Sequence, residues 1–133
     1  MTTPSEALRL NGLDALFHGH PDGVCVVDLS GRFVESNRAM LELIGYAPEQ
    51  LTGMPFSRLL HPDSVDYTMA QFREALAGRN RRYVTRIVTP EGLIRLLDVT
   101  IIPVRGEDGE VAAVLAIARD IGDVERAATA AAG

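Results

Sequence analysis

The chain has 133 residues, of which 47% are hydrophobic and 23% are charged, and its formal net charge at pH 7 is -5. This length fits one domain with one hydrophobic core, and the composition excludes a disordered polypeptide. The acidic balance argues against nucleic-acid binding, which depends on clustered basic side chains.

The beginning of the chain predicts a helix followed by a β-hairpin. An amphipathic helix is expected to start after Ser5, a suitable N-cap residue, and to end near Phe17. The nearly continuous β-branched run at residues 24–29 is typical of a strand that is covered on both faces. Gly31 suits a tight turn, and the chain is expected to return as a second strand over residues 32–35.

The middle of the chain predicts helices. Ser36 or Asn37 can accept a hydrogen bond from an unpaired first-turn N–H and so cap a helix, whose apolar face would hold Met40, Leu43, Ile44 and Ala47. Pro48 can open one further helical turn. A longer helix is expected to begin with the segment HPDS at residues 61–64 and to end at Gly78. Its apolar stripe consists of Val65, Met69, Phe72 and Leu76.

The last part of the chain predicts three strands, over residues 82–89, 93–104 and 111–121. Turns at Gly92 and Gly109 favour an antiparallel meander. Because these strands carry apolar residues at both alternating sets of positions, both faces of the sheet should be covered. The central helices would cover one face, and the N-terminal helix, a second copy of the chain, or both would cover the other.

Three motifs that follow one another along the chain resemble those of the Per-Arnt-Sim (PAS) family of sensor domains. The resemblance extends from about His20 to Ile121. The first, PDGVCVVDLSGRFVESNRA, matches the opening of the family at Asp28, Gly31, Asn37 and Ala39. The second, LIGYAPEQLTGMPFSRLLHPDS, matches it at Gly45, Tyr46, Glu49, Leu51, Gly53, His61, Pro62 and Asp63. The third is the terminal ARDI, with Arg119, Asp120 and Ile121.

The resemblance implies an α+β PAS fold, in which about five antiparallel strands form a sheet with short helices on one face and a separate N-terminal helix. The expected parts are an N-terminal amphipathic helix and linker at residues 1–19, a PAS domain at residues 20–121, and a C-terminal linker or the start of a signalling helix at residues 122–133. Structural roles are implied for the motif residues Asp28, Gly31, Asn37, Gly45, His61, Pro62, Asp63 and Asp120.

The requirements of cofactor-binding relatives disfavour flavin and haem. A flavin sensor of the light-oxygen-voltage type needs a reactive cysteine on a helix facing the ring, whereas the single cysteine, Cys25, lies in an apolar strand and is expected to be an inert core thiol. A haem sensor of this family would use a histidine from the long helix, and residues 65–76 contain none; His61 is better explained by the helix start. His18 and His20 have chelating spacing without a further ligand, so no metal or cofactor is predicted.

No catalytic machinery is expected, so the chain is interpreted as a domain that is not an enzyme. The sequence has no GxSxG nucleophile motif, and a phosphate-binding loop with its lysine is impossible because no lysine occurs. The arginines gathered at residues 79–86 are interpreted as a solvated loop and strand edge, with an anionic ligand or partner as the alternative.

The helices and the sheet are expected to enclose a cavity that takes a small apolar or weakly acidic ligand. The expected lining consists of Met40, Leu43, Phe56, Phe72 and Tyr83, with Arg86 as a polar anchor. The alternative, in which these side chains simply fill the core, stays open at this point.

Two functions are expected, the first from the resemblance and the second from the sheet with apolar residues on both faces. The first is a sensory module of a bacterial-type signal-transduction protein, such as a two-component system, which binds a small molecule and relays its state through the C-terminal helix to an output domain of the histidine kinase or diguanylate cyclase type. The alternative is a ligand-free module for dimerisation or protein interaction, and a homodimer is expected in either case. A lone cysteine, the lack of a signal peptide and the lack of an apolar run of about 20 residues predict a cytoplasmic location without a membrane partner.

Overall fold

A computed structural model describes residues 2–122 of the chain, and its strands form one antiparallel sheet. The strands are β1 (Gly23–Val27), β2 (Phe33–Ser36), β3 (Arg81–Val88), β4 (Ile94–Arg105) and β5 (Val111–Asp120). Their order across the sheet is β2-β1-β5-β4-β3. Because β1 pairs with β5, the N-terminal hairpin is joined directly to the C-terminal meander. The predicted five-stranded antiparallel sheet is confirmed.

The helices follow one another in the predicted order. They are α1 (Pro4–His18), α2 (Arg38–Ile44), α3 (Pro48–Leu51) and α4 (Val65–Leu76), with two 3-10 helices, Phe56–Leu59 and Pro62–Ser64, before α4. The predicted start of α1 is wrong by a short distance, because Thr3 rather than Ser5 is the N-cap. The Thr3 hydroxyl accepts a hydrogen bond from the backbone N–H of Glu6 at 3.2 Å, and Pro4 occupies the first helical position.

The inner face of the sheet packs against α2, α3 and α4, and the core lies between these layers. Side chains alternate along each strand, so Tyr83, Thr85 and Ile87 of β3 are buried on this face, whereas Val84 and Arg86 are exposed. The core is completed by apolar residues from every strand and from the helices, among them Val27, Phe33, Ile44, Leu51, Leu97 and Ala118.

The segment at residues 53–64 connects the two edges of the sheet across the inner face. At one edge, the backbone N–H of Phe33 donates to the carbonyl of Met54 at 3.0 Å. At the other edge, the backbone N–H of His61 donates to the carbonyl of Arg86 at 2.9 Å. Both edge strands therefore have backbone partners from this segment, which also closes the space between sheet and helices.

The outer face of the sheet is covered only in part within residues 2–122. The end of α1 lies beside β1, where Phe17, Val24 and Ile117 line a groove of about 280 Å³. Val104, which lines the same groove, is 39% exposed, and Val84 on β3 is 48% exposed. The sequence predicted that the N-terminal helix, a second copy of the chain, or both would cover the outer face. The N-terminal helix covers one side of it.

Candidate functional site

An apolar cavity of about 80 Å³ lies between the inner face of the sheet and the helices. All five strands, α2, α4 and the 3-10 segment before α4 contribute to its walls, including Cys25, Phe33, Met40, Leu59, Phe72, Tyr83, Leu97 and Val114. None of the described side chains that line it is charged. The enclosure favours an uncharged molecule, because transfer of an unpaired charge into such surroundings is very unfavourable.

The structure brings four of the six predicted pocket residues into the cavity walls: Met40, Phe56, Phe72 and Tyr83. Leu43 packs against the core but does not line the cavity. Arg86 is exposed on β3, one position out of step with its inward-facing neighbours Thr85 and Ile87. Its predicted role as a polar anchor is therefore corrected, and ligand binding by the other residues stays a prediction.

The sequence interpretation missed two buried threonines in the cavity wall. Thr68 of α4 and Thr85 of β3 place their Oγ1 atoms 2.7 Å apart. Thr85 belongs to the alternating set with Tyr83 and Ile87, and Thr68 lies next to the predicted apolar stripe of α4. The available signal was that Thr85 shares one face of β3 with Tyr83, which was itself predicted to line the cavity.

Burial keeps the ionisable groups of the cavity neutral. Desolvation raises the pKa of the Cys25 thiol from 9.0 to about 12, so the thiolate is not formed at neutral pH. Burial is also the main cause that raises the pKa of the Tyr83 phenol above its ordinary value. Cys25 is consequently a weakly reactive thiol in the wall of an uncharged cavity.

Asn37 connects three parts of the fold through its buried side chain. Its Oδ1 accepts hydrogen bonds from the backbone N–H groups of Met40 at 2.8 Å and Val24 at 2.9 Å. Its Nδ2 donates to the carbonyls of Phe17 at 2.8 Å and Asp22 at 3.1 Å. Asn37 thus caps α2, as one of the two predicted caps, and also ties the end of α1 and the start of β1 to it.

The hairpin between β1 and β2 is held by Asp28, whose Oδ1 accepts from the backbone N–H groups of Ser30 and Arg32, both at 3.0 Å. The Arg32 N–H is the largest cause that lowers the pKa of Asp28 below its ordinary value of 3.8. Gly31 follows with φ of +82°, a conformation that glycine adopts without strain. These two motif residues therefore shape the turn that the sequence predicted.

Four further motif positions lie at helix ends. Gly45 ends α2 in the left-handed conformation with φ of +82°. His61 is the N-cap of the 3-10 helix that starts at Pro62, and its Nδ1 accepts from the backbone N–H of Asp63 at 3.1 Å. The geometry agrees with the interpretation of His61 as part of a helix start.

Asp120 lies at the end of β5, where the sheet continues into the C-terminal segment. One carboxylate oxygen accepts from the backbone N–H of Gly122 at 2.7 Å, and the other pairs with Arg95 of β4 at 3.1 Å. The last strand is therefore linked to its neighbour directly before the expected signalling helix, most of which, residues 123–133, lies outside the described residues.

Most of the arginines at residues 79–86 pair with side chains of the same chain. Arg79 contacts Glu74 at 2.6 Å, Arg81 donates to Gln71 at 2.9 Å, and Arg82 contacts Asp98 at 2.7 Å. These pairs favour the solvated-surface interpretation over an anion-binding one. Within residues 2–122, no group of three or more His, Cys, Asp or Glu side chains could hold a metal ion, and no helix is long and apolar enough to cross a membrane.

A family model described as the PAS fold matches residues 17–126 of the chain. Among curated proteins, the "Probable diguanylate cyclase DgcE" of Escherichia coli (strain K12) is 26% identical over 110 residues, which make up 78% of this chain and 10% of that protein. The chain therefore spans about a tenth of the length of this relative.

Solved structures share the arrangement described above. The PAS domain of a Colwellia psychrerythraea protein is 26% identical with a TM-score of 0.77, covering 85% of this chain and 97% of that one. A domain of a sensory box sensor histidine kinase/response regulator from Geobacter sulfurreducens is 23% identical with a TM-score of 0.71, covering 84% and 94%. The Rhodobacter sphaeroides LOV protein is 22% identical with a TM-score of 0.74, covering 86% and 67%. The latter two likenesses concern the fold alone.

Proposed function

This chain belongs to the PAS family, as its motifs predicted, and on that premise we propose that it is a sensory module that binds a small molecule in the cavity. The observation that carries this proposal is the uncharged cavity between the two layers of the fold. All five strands and two helices contribute to its walls. A ligand there contacts both layers of the fold at once, so its binding can favour one packing of helices and sheet over another.

The cavity volume sets the size of the ligand. An apolar cavity of about 150 Å³ holds a benzene molecule, and sites for drug-sized ligands measure roughly 300–1,000 Å³. The 80 Å³ present here fits a molecule of a few heavy atoms. At a ceiling of about 1.5 kcal/mol per heavy atom, a four-atom ligand binds with a Kd no tighter than tens of micromolar. Flavin and haem are much larger than this space, so we propose no cofactor.

The proposed relay runs along β5. Val114, Ala116 and Ala118 of this strand line the cavity, and the same strand ends at Asp120, which pairs with Arg95. A ligand that displaces this part of the cavity wall would therefore displace the strand that leads into the C-terminal segment. We propose an output domain of the diguanylate cyclase or histidine kinase type; the match to DgcE supports the former, and the latter stays a prediction from the sequence. The chain's own role is proposed to be non-catalytic.

Thermal unfolding in the presence of small neutral molecules tests the ligand proposal. A molecule that binds only the folded state at 100 times its Kd stabilises that state by about 2.7 kcal/mol, which raises Tm. Ala116→Val adds two methyl groups to the cavity wall and should remove this response, whereas Ala113→Val makes the same change outside the lining of the cavity. A broad panel without any response, or equal responses in both variants, would contradict the proposal.

A second candidate function, homodimerisation through the outer face, is favoured by the exposed leucines of α1. Leu13 is 80% exposed and Leu16 is 55% exposed, and both border the groove between α1 and the sheet. Apolar side chains gathered in this way are typical of protein contacts. Sedimentation of Leu13→Glu should show weaker association than wild type, with Leu29→Glu, a change at a 51% exposed turn leucine, as the control. A strictly monomeric wild type at high concentration would exclude this function.

A further inference from the structure

Two buried threonine hydroxyls in the cavity wall share one hydrogen bond, so one of their two protons has no acceptor among the described residues. Thr68 is 1% exposed and Thr85 is 5% exposed, and their Oγ1 atoms are 2.7 Å apart. Each hydroxyl has one proton, so whichever threonine donates, the proton of the other is left over. Within the described residues, neither hydroxyl makes a further hydrogen bond.

The surroundings of this remaining proton are apolar. Phe72, Ile87 and Leu97 line the same cavity, and no described side chain in its walls carries a charge. A buried donor without a partner is unfavourable, whereas a donor with an acceptor in the same low-dielectric space is stabilising. Because Thr68 and Thr85 both line the cavity, the remaining proton belongs to a residue of its wall.

We propose that the pair Thr68–Thr85 selects the ligand of this cavity. The ligand class is a neutral molecule of about three to five heavy atoms with one hydrogen-bond acceptor, such as a small ketone, alcohol or ether, because the cavity of about 80 Å³ is roughly half the size of one that holds benzene. Carboxylates of the same size are rejected because the cavity has no cation to pair with them. This inference rests on the ligand-binding function proposed above and specifies it.

Titrations of the isotope-labelled chain with acetone, acetate and xenon, followed by NMR, test the selection. Acetone and acetate have the same number of heavy atoms and differ in charge, and xenon reports the cavity without a hydrogen bond. Acetone and xenon are expected to shift signals of the lining residues, and acetate is not. The double variant Thr68→Val/Thr85→Val keeps the shape of the wall and should weaken acetone about fivefold, the loss of one hydrogen bond, with xenon unchanged.

The control variant is Thr100→Val, which makes the same substitution on β4 at a position that does not line the cavity. It should bind acetone and xenon as the wild type does. Unchanged acetone binding in the double variant, or acetate binding as tight as that of acetone, would overturn the role of the hydroxyls. If xenon binds and acetone does not, the selection fails while the cavity function stands; if neither binds, the proposed ligand-sensing function fails as well.

Discussion

Removal of the Asn37 side chain is expected to loosen three elements at once. Asn37 is 1% exposed, and all four of its side-chain hydrogen bonds end on backbone groups at the end of α1, near the start of β1 and in the first turn of α2. Asn37→Ala leaves two N–H groups and two carbonyls without this partner. Water cannot easily replace it, because the site is buried.

The expected cost is large for one substitution. At about 1 kcal/mol for each net hydrogen bond, and with loss of an N-cap included, Asn37→Ala should lower the free energy of unfolding by roughly 3–5 kcal/mol. Domains of ordinary stability have about 5–15 kcal/mol in total. The corresponding fall in Tm is on the order of 15 °C for a domain of this size.

Urea denaturation of the wild type, Asn37→Ala and the control Asn80→Ala measures this cost. Asn80 is exposed in the turn before β3, so its truncation should change stability by less than about 0.5 kcal/mol. A cost below about 1 kcal/mol for Asn37→Ala, or equal costs for both variants, would refute the argument.

Asn37→Asp separates the acceptor from the donor role of the same side chain. The variant keeps an acceptor for Met40 and Val24 but turns a carboxylate oxygen toward the carbonyls of Phe17 and Asp22. Burial and these carbonyls disfavour the charged form, so the carboxyl pKa in the folded variant should lie above its unfolded value of about 3.9. Relative to the wild type, the variant should therefore be least destabilised below that pH and more destabilised as pH rises through the raised pKa; a difference that does not change with pH would contradict the geometry.

Three further predictions concern other parts of the fold. The Cys25 thiol should react with iodoacetamide at pH 8 only as fast as the chain opens, since burial raises its pKa to about 12; rapid labelling of the native chain, followed by mass spectrometry, would contradict this. The hydrogen bond from Arg82 is the main cause that lowers the pKa of Asp98 below 3.8, so this carboxylate stabilises the fold above that pH and the contribution is lost as pH falls through the lowered pKa. Asp98→Asn should flatten this loss in acid denaturation at a cost of up to about 1 kcal/mol at pH 7, and an unchanged acid profile would exclude the pair as its origin. Gly31→Ala should cost more than Gly53→Ala in thermal unfolding, because both have positive φ but only at the former does an added Cβ come within 3.0 Å of a neighbouring atom.

The cavity shows where the sequence interpretation was sufficient and where it was not. Phe72 follows from the spacing of α4, because residues three and four positions apart share one face of a helix. On β3, by contrast, both alternating sets contain apolar residues, with Tyr83 and Ile87 in one and Val84 and Val88 in the other. Periodicity alone therefore did not decide which set faces inward, and Arg86 was assigned to the wrong face.

The order of the elements and most of their ends could be predicted from the sequence, although the start of α1 could not. Gly31 acts within its own turn, and Asn37 caps α2 through the N–H of Met40 three residues away, so these two local roles can be predicted from the sequence. The register of β1 against β5 and the contact between Thr68 and Thr85 could be read only from the folded chain. Such contacts depend on which faces of the sheet the distant helices cover, a choice made by packing of the whole core rather than by local periodicity.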